Sequence, residues 1–399
     1  MTPALLRCDV AAGLSVWGIT GLLVAGAGIF GNQAVVPAGE PIGNVLVSFC
    51  LWDGGWYTNI VRNGYSYNPA EASTVVFFPA YPLFARMVQS LVGCSAECAL
   101  LVTSHLFLAL SLIALHAYIR RRYPTALPHA GTFGIAVFAL FPSTFFFRMA
   151  YSESLFFFTV MLVLLAVERG RSLLWIALIV GLATAARPVG IGLLPIVIRE
   201  IVRRAHTRRH AFAWSMALVP LSCWGLIAYV GFLQWQFDEP LAFIKAQRFW
   251  NIDPNLPFVA KLGHLASLKP LWGAFLADSG CCLDGGLHLG SFTVSPSALN
   301  AAAYLAGIVL VIAGGVRGWL NTTEMLASIG LLAIPYITRG YDSFMLSFAR
   351  FTAVVPPVFL ALTMLLLRLP YLFRVAYLLF GTALLCLLSA LFAAGYHLV

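Results

Sequence analysis

Long runs of apolar residues, separated by short polar segments, make up most of the chain. Many of these runs approach the roughly 20 residues that a membrane-spanning helix needs, and none shows the strict alternation of a membrane β-strand. The pattern therefore predicts an all-α fold, a polytopic transmembrane helical bundle of about eleven spans. We place the spans at residues 10–31, 98–119, 130–148, 153–168, 172–187, 188–203, 212–235, 298–316, 322–338, 351–367 and 375–396.

The composition supports a membrane protein. Of the 399 residues, 61% are hydrophobic and 10% are charged, and the mean hydropathy is +0.89. Soluble domains carry about 25% charged residues, and a globule of this size cannot bury such an apolar excess, so lipid must cover much of the surface. This apolar excess excludes a soluble enzyme and a disordered chain. A nucleic-acid-binding protein is excluded as well, because the Arg and Lys residues that give the net charge of +9 are dispersed between apolar runs.

Arginine-rich segments between the predicted spans indicate the orientation. The densest lie at 120–123 and 199–210, and cytoplasmic loops are enriched in Arg and Lys. With both segments inside, the N-terminus lies inside and the long connections 32–97 and 236–297 lie outside. We expect an uncleaved first span, a single domain over 1–399 and an outer cap built from the two long connections, because connections of this length are usually functional.

The first outer segment contains WDGGWYTNIVRNGY, which begins at Trp52. Trp52, Trp56 and Ile60 recur every four residues, so 53–63 is predicted to form a helix with an aromatic face at the outer membrane interface. Asp53 begins this helix. Its carboxylate has two interpretations: an N-cap that accepts hydrogen bonds from backbone amides, and a general base held at the membrane surface.

Several motifs together resemble one protein family. They are WDGGWYTNIVRNGY and FFPAYP in the first outer segment, FPSTFFFRMAYSESLFFF at 141–158, LATAARPVGIGLLP at 182–195, AQRFWN at 246–251 and FARFTAVVPPVFLAL at 348–362. In this order they are similar to the PIG-V-like mannosyltransferases, GPI mannosyltransferase 2 and its bacterial relatives, which are of the GT-C class of glycosyltransferases. The resemblance covers most of the chain and implies a GT-C-like fold.

The resemblance also implies a reaction. Enzymes of this class move a sugar from a polyprenyl or dolichyl phosphate to an acceptor at the outer face of the membrane, and an acidic residue in the first outer loop deprotonates the acceptor hydroxyl. That residue corresponds to Asp53. The expected partners are a polyprenyl-phosphate sugar donor, a glycolipid or glycan acceptor and membrane lipid, with no nucleic acid. In-line displacement inverts the anomeric carbon, and mannose is the sugar that the family implies.

Charged residues at the outer ends of the predicted spans are further candidates. Glu153, in YSESLFFF, is a catalytic candidate that would position the acceptor, hold an arginine or replace Asp53 as the base; alternatively it only favours the first turn of its helix. Arg187, Arg350 and Arg148 are expected to bind the donor phosphate, since the guanidinium fork matches phosphate. The alternatives are side chains that reach lipid headgroups and, for Arg148, a pair with Glu153.

Aromatic and amide side chains are expected to line the sugar and acceptor sites. These substrate-binding candidates are Trp56, Tyr57, Tyr81, Gln247, Trp250 and Asn251. The alternative is that they form an aromatic belt at the membrane interface.

The sequence gives no clear metal site, and we expect no cofactor. His264 and His288 lack a carboxylate at ligand spacing, and Asp278 and Asp284 would hold a cation only weakly. A divalent metal stays an alternative, because some enzymes of the GT-C class depend on one.

Four cysteines lie on the outer side in this topology: Cys94, Cys98, Cys281 and Cys282. Disulfides persist outside the cytoplasm, and a bond between neighbours in sequence is strained. The two interpretations are a link between the outer segments and four free thiols.

Two other classes of function are compatible with an apolar bundle that contains charged residues. A transporter or flippase of an anionic lipid-linked substrate would use similar groups, although transporters commonly show an internal repeat and this chain shows none. A structural membrane subunit would need no reactive groups. Convergence of Asp53 and Glu153 in one outer cavity favours a transferase, whereas a pathway through the bundle favours transport. We expect an integral location in a bacterial inner membrane rather than in the endoplasmic reticulum.

Overall fold

The structure, a computed structural model, describes residues 3–37, 39, 42–124, 129–251, 255–276, 287–289, 292–294, 296–340 and 345–398. The helices are α1 (Pro3–Ala34), α2 (Val45–Ser48), α3 (Asp53–Asn63), α4 (Ala80–Val92), α5 (Ala96–Arg122), α6 (Ala130–Ala139), α7 (Glu153–Glu168), α8 (Leu173–Ala186), α9 (Leu194–Arg204), α10 (Arg208–Leu221), α11 (Trp224–Phe237), α12 (Ala242–Ala246), α13 (Phe258–Ala266), α14 (Lys269–Gly273), α15 (Pro296–Val316), α16 (Thr322–Pro335), α17 (Phe348–Ala353), α18 (Pro356–Arg368) and α19 (Tyr371–Ala393). Strands β1 (Leu287–Leu289) and β2 (Phe292–Val294) form a short antiparallel ribbon. The predicted helical architecture is confirmed, with this ribbon as the exception within the described ranges.

Helix length and composition support an integral membrane protein. Among the residues that the structure describes, α1, α5, α15 and α19 are long and apolar enough to cross a membrane, and the number rises from four to six if each of two bent helix pairs is one span. The predicted count of about eleven spans is not confirmed. The predicted spans at 153–168 and 172–187 correspond to α7 and α8, which have only 16 and 14 residues.

Prolines divide several runs that are continuous in hydropathy. After α6 the chain bends by 82° into a 3-10 turn at Pro142–Arg148, because proline disfavours a helical residue before it. The predicted span 188–203 is likewise divided into a 3-10 turn at Pro188–Leu193 and the short helix α9. Helices α10 and α11 meet at 50°, just after Pro220. Hydropathy alone does not detect these breaks.

The core of the molecule surrounds α7. This helix is apolar on all sides, as expected of a helix that is enclosed by others, and it packs against α5 and α8. Phe156, Phe157 and Val160 are completely buried. Helix α7 therefore carries Glu153, in its first turn, at one end of the packed core.

The two long connections pack against each other. The ring of Trp56 in the first contacts that of Trp250 in the second, with centroids 5.5 Å apart, and Arg248 donates a hydrogen bond to the carbonyl oxygen of Pro69. Val75 belongs to the same apolar cluster as Ala242. The two segments thus form one layer of short helices; their location outside the membrane stays a prediction.

The arginine-rich segment 199–210 lies at the opposite end of α7. Arg204 donates to the carbonyl oxygen of Arg171 at 2.5 Å, and Arg199 donates to Thr323 at 3.2 Å. Because α7 has 16 residues, about 24 Å separates this end from Glu153. Such a separation agrees with the predicted topology, in which arginine-rich loops and the candidate site lie on opposite faces.

We predict that Gly330→Ala destabilises the protein by about 1–3 kcal/mol, as overpacking does. Helix α16 crosses the Pro188–Leu193 turn at two glycines, and a Cβ at Gly330 would lie 1.9 Å from the Gly192 carbonyl oxygen. Gly231→Ala is the matched control, because a Cβ there meets nothing within 4 Å. Thermal unfolding of the purified protein measures both, and equal stability of the two variants would contradict the close packing.

Candidate active site

Asp53 is the first residue of α3, and its carboxylate faces an arginine. The residue before it, Trp52, is the N-cap and adopts an unusual backbone conformation with φ 54° and ψ −117°. Asp53 Oδ2 accepts a hydrogen bond from Arg350 Nη1 at 2.7 Å. The predicted helix over 53–63 is present with these bounds. The N-cap interpretation of Asp53 is wrong, because Trp52 occupies that position.

Glu153 begins α7 and contacts two arginines. Its Oε1 accepts a hydrogen bond from Arg187 Nη1 at 2.7 Å and lies 3.3 Å from Arg350 Nε. The second distance is an ion-pair contact without hydrogen-bond alignment, since Nε has no hydrogen-bond partner in the described part of the chain. Only 2% of the Glu153 side chain is exposed. Its position at a helix N-terminus further favours the negative charge.

Local backbone structure fixes the position of Arg187. It is the C-cap of α8 and is extended, with φ −155° and ψ 144°, as expected of a residue that precedes a proline. Pro188 then begins the 3-10 turn. The guanidinium group lies over the rings of Phe156 and Phe351, at 5.9 and 5.5 Å from their centroids. The turn thus directs Arg187 toward the start of α7.

Arg350, in α17, is enclosed by aromatic rings and carboxylates. Its guanidinium group lies 5.5 Å from the ring centroid of Phe146 and 5.2 Å from that of Tyr151. Burial opposes the charged form, but the carboxylates of Asp53 and Glu153 outweigh burial and raise the pKa of Arg350 above its usual value. Arg350 is therefore a permanently charged group that links both carboxylates.

These four side chains form a continuous ion-pair network, in the order Asp53, Arg350, Glu153 and Arg187. They come from α3, α17, α7 and the end of α8, so the network joins segments that are far apart in sequence. Asp53 and Glu153 converge, as do the two arginines. The structure brings together the two carboxylates and two of the three arginines that sequence analysis selected.

Residues 39–232 match the model of the family described as mannosyltransferase (PIG-V). This segment is similar to the PIG-V mannosyltransferases. The matched segment is just under half of the chain and contains Asp53, Glu153 and Arg187, whereas Arg350 lies beyond it. The resemblance that the motifs indicated is confirmed. None of the curated proteins compared with the chain matches it significantly.

Solved structures of an oligosaccharyltransferase from Archaeoglobus fulgidus are also similar to this chain. The form tethered to an acceptor peptide is 14% identical, covers 96% of this chain and 55% of its own, and has a TM-score of 0.44. The AglB complex with an inhibitory peptide and a dolichol-phosphate is 15% identical, with coverage of 96% and 55% and a TM-score of 0.43. The apo form is 13% identical, with coverage of 96% and 56% and a TM-score of 0.46. The chain spans about half the length of these structures.

Arg148 lies apart from the network. It is 4% exposed, and its Nη2 donates to the carbonyl oxygen of Trp17 at 3.1 Å and to the Thr20 hydroxyl. Both partners belong to α1. The alternative that Arg148 pairs with Glu153 is wrong, because Arg187 and Arg350 contact Oε1 of that carboxylate. The expectation that Arg148 shares a phosphate with the other two arginines is also wrong, since its guanidinium group points toward α1.

The aromatic substrate-binding candidates cluster between the two long connections. Trp56 stacks on Phe77 with centroids 6.0 Å apart and contacts Trp250. Tyr57 is buried beside the same Phe77 at 5.1 Å. The predicted interfacial face of α3 is therefore largely covered, since these rings pack against the protein.

Amide candidates lie at the edge of this cluster. The Nε2 atom of Gln247 is buried and has no hydrogen-bond partner among the described residues. Asn251 follows the 3-10 turn at Gln247–Trp250 and caps it through its backbone amide, which donates to the Arg248 carbonyl oxygen at 3.2 Å. Gln247 thus has a free donor for a ligand.

Tyr81 does not line an open site. The residue is completely buried. Its hydroxyl contacts the Ser104 hydroxyl at 2.8 Å and donates to the Leu100 carbonyl oxygen at 3.0 Å. The substrate-binding role predicted for Tyr81 is therefore corrected to packing of α4 on α5.

Two residues beside the network are absent from the set that sequence analysis selected. The Tyr151 hydroxyl donates to the Leu51 carbonyl oxygen at 3.2 Å, and its ring faces Arg350. Tyr151 belongs to the YSESLF motif, so a signal for it existed. His397 contacts Trp52, but it lies in no motif, and only the folded chain reveals it.

No group of three or more His, Cys, Asp or Glu residues that could hold a metal ion occurs in the described ranges. Cys94 and Cys98 are free thiols. The weak cation candidates Asp278 and Asp284, together with Cys281 and Cys282, lie outside the described residues, as does the side chain of His288.

Proposed function

We propose that this protein is an inverting, GT-C-type glycosyltransferase that moves a sugar, mannose by its family, from a polyprenyl-phosphate donor to a hydroxyl of a lipid-linked or glycan acceptor. The transfer would occur at the outer face of the membrane. The observation that carries this proposal is the ion-pair network, in which the partly exposed Asp53 pairs with Arg350 and the buried Glu153 contacts both Arg350 and Arg187.

The two carboxylates differ in exposure to solvent, which supports different roles for them. The Asp53 side chain is 29% exposed, whereas that of Glu153 is 2% exposed. A general base must come within hydrogen-bond reach of the proton that it removes, and only Asp53 has the exposure for this. Asp53 is therefore the proposed base, and Glu153 is a positioning residue that holds Arg187 and Arg350.

The proposed reaction is one displacement. The acceptor oxygen attacks the anomeric carbon and forms the new glycosidic bond as the bond from that carbon to the phosphate oxygen breaks. The phosphate leaves with the bonding electron pair, and Asp53 takes the hydroxyl proton. Attack from the face opposite the phosphate inverts the configuration at the anomeric carbon.

The arginines suit the leaving phosphate. The network holds two negative and two positive side chains, so its formal charges cancel before a phosphate binds. A bound phosphate then adds negative charge beside the two arginines. A guanidinium group has five N–H donors, and the contacts with the carboxylates use only part of them. Donors that face the developing charge stabilise the transition state.

An apolar groove supports a lipid-linked substrate. The groove has a volume of about 720 Å³, and residues from α3, α4, α8 and α11 line it. Ala185, which lines the groove, lies two residues before Arg187. We propose that an isoprenoid chain occupies this groove while its phosphate reaches the network.

Ala228→Trp should reduce turnover of a long-chain donor and spare a short-chain one. Ala228 is exposed in the groove, and an indole there would occupy the volume that the isoprenoid chain needs. The measurement is the KM for a polyprenyl-phosphate mannose of undecaprenyl length against that of a short-chain analogue. Ala213→Trp on the exposed surface of α10 is the control. Equal effects of Ala228→Trp on both donors would place the lipid chain elsewhere.

Transfer from a defined donor tests the proposed function itself. The purified full chain in lipid nanodiscs is given undecaprenyl-phosphate mannose with a radioactive sugar, together with a membrane lipid extract as the acceptor source. The proposal expects label to move into an acceptor product. Transfer from GDP-mannose alone, or none from the lipid donor under any condition that preserves the fold, would contradict it. Undecaprenyl-phosphate glucose in a parallel reaction tests the choice of sugar.

A further inference from the structure

His397 lies beside the proposed base although it is remote in sequence. It follows α19 and lies outside the matched residues 39–232. Its ring meets that of Trp52 edge to face, with centroids 4.4 Å apart and planes at 85°. Since Trp52 directly precedes Asp53, this contact connects the end of α19 to the start of α3.

The contact between His397 and Trp52 stabilises an unfavourable backbone conformation at Trp52. Trp52 has a φ of 54°, which is costly for a residue with a large side chain and persists only where its surroundings hold it. On one side the Tyr151 hydroxyl donates to the Leu51 carbonyl oxygen at 3.2 Å. On the other side the His397 ring packs on the Trp52 indole. Together these two contacts fix the direction of the backbone at Asp53, where α3 begins.

His397 also shares the electrostatic field of the network. Partial burial lowers the pKa of its imidazole below 6.5; Asp53 in α3 raises it and Arg350 in α17 lowers it, so the net direction is downward. The imidazole is therefore neutral near neutral pH. Its Nδ1 is buried without a hydrogen-bond partner in the described part of the chain, which leaves an atom that can take up a proton.

We propose that His397 is a positioning residue for Asp53: its neutral ring holds Trp52 so that Asp53 meets Arg350, and its protonation in acid weakens Asp53 as a base. The inference rests on the proposed function, because it assigns Asp53 the role of base. An imidazolium adds a second cation beside Arg350 and stabilises the ionised carboxylate of Asp53. Transfer should therefore decline as the pH falls through the pKa of His397.

Two substitutions separate packing from charge. His397→Phe keeps a ring against Trp52 but cannot take up a proton, so the acid limb of the kcat profile should move to lower pH. His397→Ala loses the ring, and kcat should fall by about 10–100-fold at every pH, since a misplacement of about 1 Å at a reacting group has effects of this size. The loss in His397→Phe should be smaller. His264→Phe, in α13, is the control and should leave the profile unchanged.

An NMR titration of the histidine ring tests the inference without any sugar transfer. In Asp53→Asn the midpoint for His397 should move downward, because the carboxylate that raises it is absent. An unchanged midpoint in Asp53→Asn, or an acid limb in His397→Phe that coincides with the unsubstituted protein, overturns the proposal. If no transfer is found but the midpoint moves, the proposed function fails while the contact between His397 and Asp53 stands.

Discussion

Asp53→Asn is expected to reduce transfer by about 10²–10⁴-fold, the usual contribution of a positioned general base. The amide matches the carboxylate in size and can still contact Arg350, so the fold is preserved. It cannot accept the proton of the acceptor hydroxyl. The loss should therefore appear in kcat, while binding of undecaprenyl phosphate stays within a fewfold range. Initial rates with the labelled lipid donor, together with a binding titration, measure both.

The matched control for this substitution is Glu71→Gln. Glu71 is an exposed acid in the same long connection, and its neutralisation should not alter the rate. Asp53→Glu retains the proton acceptor but displaces it, so it should recover part of the activity lost in Asp53→Asn. Full activity of Asp53→Asn would show that Asp53 is not the base.

Glu153→Gln is expected to lower the free energy of unfolding by about 3–5 kcal/mol, since loss of one partner leaves a buried charge without compensation. Glu153 Oε1 lies 2.7 Å from Arg187 and 3.3 Å from Arg350, and an amide neutralises neither. Both arginines should lose their fixed positions, so transfer and binding of undecaprenyl phosphate should both decline. This pattern differs from Asp53→Asn, which spares binding.

Glu168→Gln at the other end of α7 is the control. It makes the same chemical change in the same helix, and we expect an effect within about 0.5 kcal/mol, as for most substitutions outside the core. Glu153→Gln combined with Arg187→Gln should destabilise by less than the sum of the single changes, because the charges compensate each other. Additive effects would show that the pair is not coupled. Thermal unfolding in detergent provides these values.

The sequence predicted the helical class and α3 well, because apolar run length and aromatic spacing are local signals. It did not predict where helices end. The run at 130–148 is apolar throughout, yet the chain bends by 82° at Pro142, and 188–203 divides after Leu193 into a 3-10 turn and a short helix. Such breaks depend on backbone sterics at proline and on how neighbouring helices compensate, and a hydropathy pattern contains neither.

The candidate site was predictable where motifs carried it. Asp53, Glu153, Arg187 and Arg350 each lie in a motif, and they share one network. The direction in which a side chain points was not predictable. Arg148 stands in the same motif as Glu153 but turns toward α1, a consequence of the 3-10 turn that holds it.

Contacts between distant residues could not be predicted from the sequence where one of the residues lies in no motif. The rings of His397 and Trp52 meet although these residues are 345 positions apart in the sequence. Nothing in the local pattern around His397 distinguishes it from a polar residue at the end of a span. Tertiary packing alone creates this contact.

The location of the lipid phosphate tests the central claim most directly. A cryo-electron microscopy structure of the full chain in nanodiscs with undecaprenyl phosphate would show it. The account predicts the phosphate within hydrogen-bond distance of both Arg187 and Arg350, with its isoprenoid chain in the groove lined by Ala185 and Ala228. A phosphate bound away from both arginines, beside Arg148 or Arg248 for example, would contradict it.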